Sequence, residues 1–343
     1  MSDEKLIDLY LEHKELGEGR SEKTITAYRG HLKNLVAHLA QEGLTLLTAP
    51  AGVLERYVGY WLHRRGMRPI TRRVPVSAIR GFYAWLHRRG LVAANPARDL
   101  PTPHSGKSLP RPMPLDCAER LLMQPGLDSL RNVRDTAILS LLISSGCRVS
   151  GVVQLNEEDL LWETHKSGAE RLTLRLCEKG KRERLVPVPL ETGLLVRAYL
   201  GHPDLARIER RTATGRRVLF VSLRNRRCSE ADYHGERRRL SADAIHHLIG
   251  QRGGQCGIPR EYLHPHALRH LYGTELAEEE VDLIQRQALL GHEQPGTTAI
   301  YSHLSQRKLR KTVDRANPLA KMGTTPARAL ALRLMRELSP ANV

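Results

Sequence analysis

The sequence predicts a mainly α-helical protein with one small antiparallel β-sheet in its C-terminal part. Apolar residues recur at helical spacing through residues 1–95, as in the stripe from Ile25 to Leu39. Leucines alternate with polar residues over 171–178, a pattern typical of a half-buried strand. We therefore expect an all-helical N-terminal domain followed by a domain of the α+β class.

Prolines mark the boundary between the two expected domains. Six of them fall between residues 96 and 114, a density typical of an extended, semi-stiff linker. We predict an N-terminal domain at 1–95, a linker at 96–113 and a second domain at 114–321. Residues 322–343 carry an amphipathic helix, whose apolar stripe needs a groove in its own domain or in a neighbouring copy.

The chain is strongly basic and lacks the marks of a membrane protein. Its 343 residues include 54 Lys and Arg against 37 Asp and Glu, a formal net charge of +17. Nucleic acid is the commonest polyanionic partner of such a chain. Aromatic residues are only 4% of the total, which favours a grip on duplex backbone over stacking of single-stranded bases. No apolar run approaches the roughly 20 residues that span a bilayer.

The cysteine pattern indicates a reducing compartment. The five cysteines are odd in number and include no C-x-x-C pair, unlike a disulfide framework or a zinc site. The first residues are acidic and amphipathic, unlike a signal peptide. We expect a cytoplasmic protein whose partner is double-stranded DNA.

The second domain is predicted to begin with a capped helix and to contain three strands. Asp116 and Glu119 have the spacing of a capping box. An apolar helix at 132–144 is expected to be buried. The predicted strands are 171–178 and 185–189, joined by a hairpin turn, and a third at 218–222.

Arginines gather in two kinds of segment. The hexapeptide WLHRRG occurs at 61–66 and again at 85–90, and two helix C-termini with left-handed glycine caps explain it most simply. Segment 207–239 holds eleven arginines, which favours an insertion that faces phosphate over a solvated loop. The arginines predicted to contact DNA are Arg64, Arg65, Arg72, Arg73, Arg88, Arg89, Arg224, Arg226 and Arg227.

Six further residues suit attack by a phenolic oxygen on a phosphodiester. They are Arg148, Lys179, His266, Arg269, His292 and Tyr301. A tyrosine with a pKa of about 10 needs an electropositive pocket to act as a nucleophile. Arginines clamp phosphate oxygens with two donors, and a lysine on a turn can protonate the leaving 5′-oxygen. Histidines can donate to non-bridging oxygens or carry the tyrosine proton.

Each of these residues also has a plainer interpretation. His266 and His270 have zinc-pair spacing, but no Glu follows His266 as in H-E-x-x-H, so we expect no metal. His270 suits a buried, hydrogen-bonded histidine about as well as a supporting residue of the site. Tyr301, considered alone, would be interpreted as a packed core tyrosine. Lys181 is the alternative to Lys179 as the general acid that protonates the leaving 5′-oxygen. No cofactor is expected.

Taken in order, the motifs resemble the tyrosine recombinase family, the phage-integrase superfamily. The matching stretches are SSGCRVSGVVQL, EKGKRERLVPVP, HALRH, LLGH and TTAIYSHL, and the likeness covers almost the whole chain. It implies a core-binding domain and a catalytic domain that clamp duplex DNA, acting as a tetramer on two sites. It also implies a 3′-phosphotyrosyl intermediate on Tyr301, a Holliday junction and no metal or nucleotide. The remaining five residues of the set would form the catalytic pocket, and the tail would dock on an adjacent protomer.

Two positions depart from the family pattern. Gly151 replaces the usual acidic residue of the first motif, which removes a supporting ion pair, and Glu178 replaces the glycine before the lysine.

The alternatives to a recombinase are a type IB-like topoisomerase and a catalytically silent DNA-binding protein. Integration or excision of a mobile element, resolution of DNA and inversion all remain open as the biological task.

Overall fold

The computed structural model divides the chain into two compact units, Met1–Ser108 and Leu109–Val343. The division falls within the proline-rich stretch. The residues that the structure describes are 1–104, 111–164, 170–178, 182–225, 228–291, 312, 313, 315, 316 and 318. Within these residues, every helix is too short or too polar to cross a membrane.

The N-terminal unit is built from helices α1 to α5. They span Asp3–Glu12, Glu22–Gln41, Ala51–Arg56, Leu62–Arg64 and Pro69–Arg88. Two π-helical segments extend this set: His13–Gly17 follows α1, and Tyr57–Trp61 joins α3 to α4. Helix α2 begins after Ser21, whose hydroxyl accepts a hydrogen bond from the Thr24 amide. The predicted all-helical architecture of this part is confirmed.

Aromatic side chains fill the centre of the N-terminal unit. The Tyr10 ring lies 5.3 Å from that of Phe82 and 5.7 Å from that of Trp85. The first pair meets edge to face, which places a positive ring edge against a negative ring face. Ala97 and Leu100 are buried in the same core, so the beginning of the proline-rich stretch packs on this unit.

The repeated WLHRRG segments end two helices in the same way. Gly66 and Gly90 adopt left-handed conformations with φ of 77° and 67°. Each glycine amide closes the last turn, donating to His63 in the first copy (2.9 Å) and to His87 in the second (3.0 Å). The capping interpretation of the repeat is therefore confirmed.

The C-terminal unit combines helices α6 to α13 with strands β1 to β3. The helices are Leu115–Met123, Leu130–Ser145, Val149–Gln154, Leu190–Leu200, Pro203–Ala206, Ala242–Gln255, Pro265–Glu278 and Leu283–Leu290. The strands are Leu160–Thr164, Glu170–Glu178 and Arg182–Pro187. They pair antiparallel in the order β1-β2-β3, with Leu174 of β2 opposite Leu160 and Val186. These three residues are buried, which gives the sheet its apolar face.

Helix α7 is the centre of the C-terminal core, as its apolar sequence predicted. Nearly all of its residues are buried, and Ser140 hydrogen-bonds Thr192 of α9 at 2.8 Å. Its buried charges are paired: Asp135 lies 2.7 Å from Arg134 and 2.9 Å from Arg252 of α11. This pairing offsets the desolvation of three charged groups.

The predicted strand at 218–222 is wrong, and β1 is the strand that replaces it. Val218 and Val221 form only isolated bridges, to Asn156 and Arg239. The apolar run VLFV is buried, and loops satisfy its main chain; the Leu219 amide, for example, donates to Leu155 at 3.2 Å. A short apolar run marks burial, and burial alone does not specify pairing in a sheet.

The predicted capping box at Asp116 is also wrong. Helix α6 begins at Leu115 with Pro114 as its N-cap. Asp116 therefore lies inside the first turn, where its charge favours the helix N-terminus. Its carboxylate lies 3.5 Å from Arg120, one turn along the helix.

Candidate active site

Helix α12 carries the densest group of predicted site residues. His264 is its N-cap, with Nδ1 accepting from the Ala267 amide at 3.1 Å, and Pro265 occupies the first turn. The cap fixes where the helix begins and hence where its side chains project. His266 and His270 are four residues apart, so they lie on one face, with ring centroids 6.4 Å apart.

Arg269 lies between these histidines and is buried, with 8% of its surface exposed. Its Nη1 donates to the carbonyl oxygen of Gly146 and its Nη2 to that of Leu290, both at 2.6 Å. One guanidinium therefore joins the end of α7 to the end of α13. Because an arginine keeps its proton in proteins, this group is a permanent cation at the junction.

Arg148 reaches the same junction from another direction. Helix α7 ends at Gly146 in a left-handed conformation (φ 57°), and Arg148 is the N-cap residue of α8. A Cβ at position 146 would lie 2.4 Å from Cδ1 of Tyr272, so the turn requires glycine. The Nη2 of Arg148 donates to the carbonyl oxygen of Gly291 at 3.1 Å.

A third arginine, Arg184 of β3, completes what we call the arginine cluster: Arg148, Arg184 and Arg269. Arg184 Nη1 donates to the carbonyl oxygen of Leu289 and lies 3.4 Å from that of Ala288. The last carbonyls of a helix have no intrahelical partner and carry partial negative charge. The three guanidiniums therefore satisfy the main chain from Ala288 to Gly291, at the C-terminus of α13.

Arg184 is the residue that the sequence analysis missed. On β3 it lies opposite Leu176, and Val186, two positions on, is buried. Residues directly opposite on antiparallel strands share a face. A charged residue at an inward-facing strand position is the signal that could have found it.

Burial and neighbouring positive groups lower the pKa of both histidines on this face of α12. Burial, then the neighbouring His270 and Arg269, holds the pKa of His266 below its usual range. Burial, then His264 and Arg269, lowers the pKa of His270 as well. Neutral imidazoles beside permanent cations can still donate one hydrogen bond and accept one.

Tyr272 is the tyrosine packed against this junction. It is completely buried, and burial raises the pKa of its hydroxyl. Within the part of the chain that the structure describes, no group hydrogen-bonds this hydroxyl. Its role is packing, against the turn at Gly146.

Several predicted site residues lie outside the described residues. They are Lys179, Lys181, His292, Tyr301, Arg226 and Arg227. The neighbouring positions are described: Glu178 of β2 pairs with Arg182 of β3 on either side of the lysines in sequence, and Gly291 precedes His292. At Gly151 a Cβ would lie 3.7 Å from Leu176, an ordinary contact, so a Cβ atom fits at this position.

The N-terminal arginines predicted to contact DNA have unequal surroundings. Arg64, Arg65, Arg73, Arg88 and Arg89 are exposed. Arg72 is partly buried and donates to the carbonyl oxygens of Val58 (3.3 Å) and Gly59 (3.1 Å). It therefore supports the π-helical segment between α3 and α4.

In segment 207–239, which the sequence predicts to face phosphate, three of the eleven arginines pair with the carboxylates at positions 157 and 159 of the same unit. Arg210 and Arg217 pair with Glu157 at 2.6 Å and 2.9 Å, and Arg216 pairs with Asp159 at 2.5 Å. These pairs fasten the segment to the acidic turn before β1. Arg224, by contrast, is exposed.

Metal ligands are not grouped in the described residues: no cluster of three or more His, Cys, Asp or Glu side chains there could hold an ion. The functional groups that these residues supply are guanidiniums and imidazoles. The arginine cluster carries fixed positive charge and the histidines of α12 add hydrogen-bond donors, and both kinds of group stabilise anions.

Comparisons with protein families match both units. Residues 116–308 match the model of the phage integrase family, and residues 7–90 match that of the phage integrase N-terminal SAM-like domain. Together these matches cover most of the two units.

Curated relatives match over nearly their whole length. The tyrosine recombinase XerC of Thermodesulfovibrio yellowstonii is 29% identical over 314 residues, which cover 91% of this chain and 96% of the relative. XerC of Azotobacter vinelandii is 32% identical over 317 residues, covering 92% of this chain and 96% of the relative.

Solved structures show the same fold at lower identity. The XerH site-specific recombinase in a pre-cleavage complex with its difH substrate has a TM-score of 0.61 and 17% identity, covering 92% of this chain and 85% of that one. DNA-bound lambda integrase has a TM-score of 0.59 and 15% identity, covering 92% and 97%. From the family matches and the relatives, the chain belongs to the phage integrase family and is a tyrosine-type site-specific recombinase.

Proposed function

We propose that this recombinase cuts and rejoins duplex DNA through a 3′-phosphotyrosyl bond to Tyr301. The observation that carries the proposal is the convergence of Arg148 and Arg269 on the C-terminal turn of α13. That turn ends at Gly291, immediately before His292 in the sequence. His266 lies one helical turn from His270, on the helix that carries Arg269.

In the proposed reaction, the Tyr301 oxygen attacks the scissile phosphorus and the 5′-oxygen of the next nucleotide leaves. Arg148, Arg269 and His292 donate to the non-bridging oxygens, where negative charge develops in the transition state. His266, on the same helix as Arg269, accepts the tyrosine proton as a general base.

Lys179 or Lys181 gives a proton to the leaving 5′-oxygen. The phosphotyrosyl bond then conserves the energy of the broken bond. Attack by a 5′-hydroxyl from a partner strand rejoins the DNA and releases the tyrosine.

DNA is the proposed partner because of charge and likeness. The net charge of +17 favours a polyanion. The XerH and lambda integrase structures that share this fold are complexes with their DNA. We propose that the exposed arginines of the N-terminal unit and Arg224 contact phosphates.

The proposed assembly is a tetramer on two recombination sites. It exchanges one pair of strands at a time, through a Holliday junction. The proposed task is integration or excision of a mobile element, or resolution of DNA.

A nicked suicide substrate tests the chemistry. A binding site is first selected from random duplexes with Tyr301→Phe, and a nick is placed next to each candidate position so that cleavage becomes irreversible. Wild-type protein is expected to form a covalent adduct that survives denaturation, with or without a chelator. Tyr301→Phe is expected to form none.

Tyr272→Phe is the matched control, because it removes a tyrosine hydroxyl that makes no described hydrogen bond. It is expected to retain the adduct. Bound DNA without an adduct in wild-type protein would contradict the proposal and favour a silent DNA-binding protein. Relaxation of supercoils without exchange between two marked sites would favour a topoisomerase.

A further inference from the structure

The side chain of Arg184 contacts the main chain of α13, in addition to the backbone pairing of Arg184 within the sheet. It projects from the inward-facing side of β3, opposite Leu176, yet it carries a permanent charge. A charge at a partly buried position is costly unless strong hydrogen-bond acceptors receive it. The carbonyl oxygens of Ala288 and Leu289 are such acceptors.

These contacts join β3 to the end of α13, where the carbonyl oxygens of Leu290 and Gly291 accept hydrogen bonds from Arg269 and Arg148. Helix α13 ends at Leu290, and Gly291 closes it in a left-handed conformation with φ of 64°. Arg184 holds the turn one and two residues before the carbonyl that receives Arg269. It therefore sets the position of the oxygens of Leu290 and Gly291 relative to β3.

We propose that Arg184 is a positioning residue for recombination. It anchors the C-terminal turn of α13 to strand β3, so that Arg148 and Arg269 are held in one geometry. In sequence, the lysines predicted to protonate the leaving group lie between Glu178 and Arg182, which pair at the ends of β2 and β3. This inference rests on the proposed function.

If Arg184 is a positioning residue, its removal should lower the rate of cleavage far more than the affinity for DNA. Without Arg184 the last turn of α13 loses two contacts with β3, and the guanidiniums of Arg148 and Arg269 are held less firmly in one direction. Misplacement of catalytic groups by about 1 Å slows a reaction by about 100-fold. DNA affinity depends on the total positive charge near phosphate and changes far less.

The test compares Arg184→Ala and Arg184→Lys with Arg197→Gln. Arg197 lies on α9, is partly exposed and pairs with Glu170 at 2.9 Å, so its loss removes the same charge elsewhere in the same unit. DNA dissociation constants are measured by fluorescence anisotropy at one salt concentration. Cleavage of the nicked substrate is measured as a first-order rate at saturating DNA.

We expect Arg184→Ala to cleave about 10- to 100-fold more slowly than Arg197→Gln, with an affinity within about twofold of that control. Arg184→Lys keeps the charge and one donor direction, and is expected to recover part of the rate. Hydrogen exchange of the amides from Arg286 to Gly291 should be faster in Arg184→Ala than in the control.

Equal cleavage by Arg184→Ala and Arg197→Gln would overturn the inference. So would a rate loss that disappears once lost affinity or lost folding is corrected for. If Arg184→Ala does not fold, as judged by thermal unfolding, the comparison of Arg184→Lys with Arg197→Gln decides by the same criteria. A wild-type protein that binds the DNA without forming an adduct would instead refute the proposed function, independently of Arg184.

Discussion

The arginines of the two units are placed in opposite environments. In the N-terminal unit, Arg65 and Arg89 are exposed and lie over tryptophan rings, with guanidinium carbons 4.6 Å from the centroid of Trp61 and 5.9 Å from that of Trp85. In the C-terminal unit, the arginine cluster is at least partly buried and donates to the main chain at the end of α13.

In the proposed function, this difference in burial separates the affinity for DNA from the chemistry. An exposed guanidinium is screened by salt and adapts to whatever phosphate approaches, so it adds affinity without fixing geometry. A buried guanidinium with two hydrogen bonds has one direction, which is what a transition state requires. In the proposed function, exposed arginines of the N-terminal unit therefore contribute to DNA binding, and Arg148 and Arg269 contribute to catalysis.

The largest expected effect comes from Arg269. Arg269→Ala removes the buried cation that joins Gly146 to Leu290, and cleavage at saturating DNA should fall by at least about 100- to 1000-fold. The affinity for the selected DNA site should change by less than tenfold. A single-turnover assay with an anisotropy titration measures both. A loss of affinity as large as the loss of rate would erase the contrast between the units.

The second-largest expected effect is on stability, and it comes from a substitution in the turn that precedes Arg148. Gly146→Ala places a Cβ against Tyr272 in a left-handed conformation and is expected to destabilise the protein by about 1–3 kcal/mol. Gly250→Ala is the control, because a Cβ at this helical position meets nothing within 4 Å. Chemical denaturation should show stabilisation of the control by up to about 1 kcal/mol. Equal stability of the two variants would contradict the account of the turn.

In the N-terminal unit, the expected effect is on salt dependence. The double variant Arg65→Gln, Arg89→Gln should lower the slope of log affinity against log salt by about 2, with cleavage at saturation unchanged. Arg56→Gln serves as the control, since Arg56 already pairs with Glu42 at 3.2 Å. If the double variant slows cleavage at saturation, these arginines act in the chemistry as well.

The smallest expected effect is the change of stability with pH that comes from the pKa of His266. Burial, then the neighbouring His270 and Arg269, lowers its pKa, so the unfolded chain binds its proton more readily. This contribution to stability is therefore fully present above the ordinary value of about 6.5 and is lost as pH falls through the window below it. Imidazole resonances followed by NMR should titrate below the ordinary range in the free protein. Bound DNA should raise the pKa, because phosphate stabilises the imidazolium.

Sequence patterns predicted the features that depend on local order. Arg148 and Arg269 stand in recognisable motifs, and the turn between α7 and Arg148 follows from a helix that ends in glycine. Ser21 likewise predicted its own helix start, because a cap acts on residues three positions away.

Long-range pairing was beyond the same patterns. The run at 218–222 and strand β1 are both short and apolar, and only the partner in space distinguishes a strand from a buried loop. Arg184 was missed for the same reason. Alternation along β3 marks Arg184 as inward-facing, but its contact with the Ala288 carbonyl oxygen spans 104 positions of sequence, so no local pattern predicts that partner.

Peptide mapping of the covalent adduct tests the central claim most directly. Trypsin should release residues 287–307, a peptide whose only tyrosine is Tyr301. After nuclease digestion, mass spectrometry is expected to find a 3′-nucleotide phosphate on this tyrosine in wild-type protein and no modified peptide in Tyr301→Phe. A nucleotide attached to another tyrosine, or to any other residue, would contradict the account.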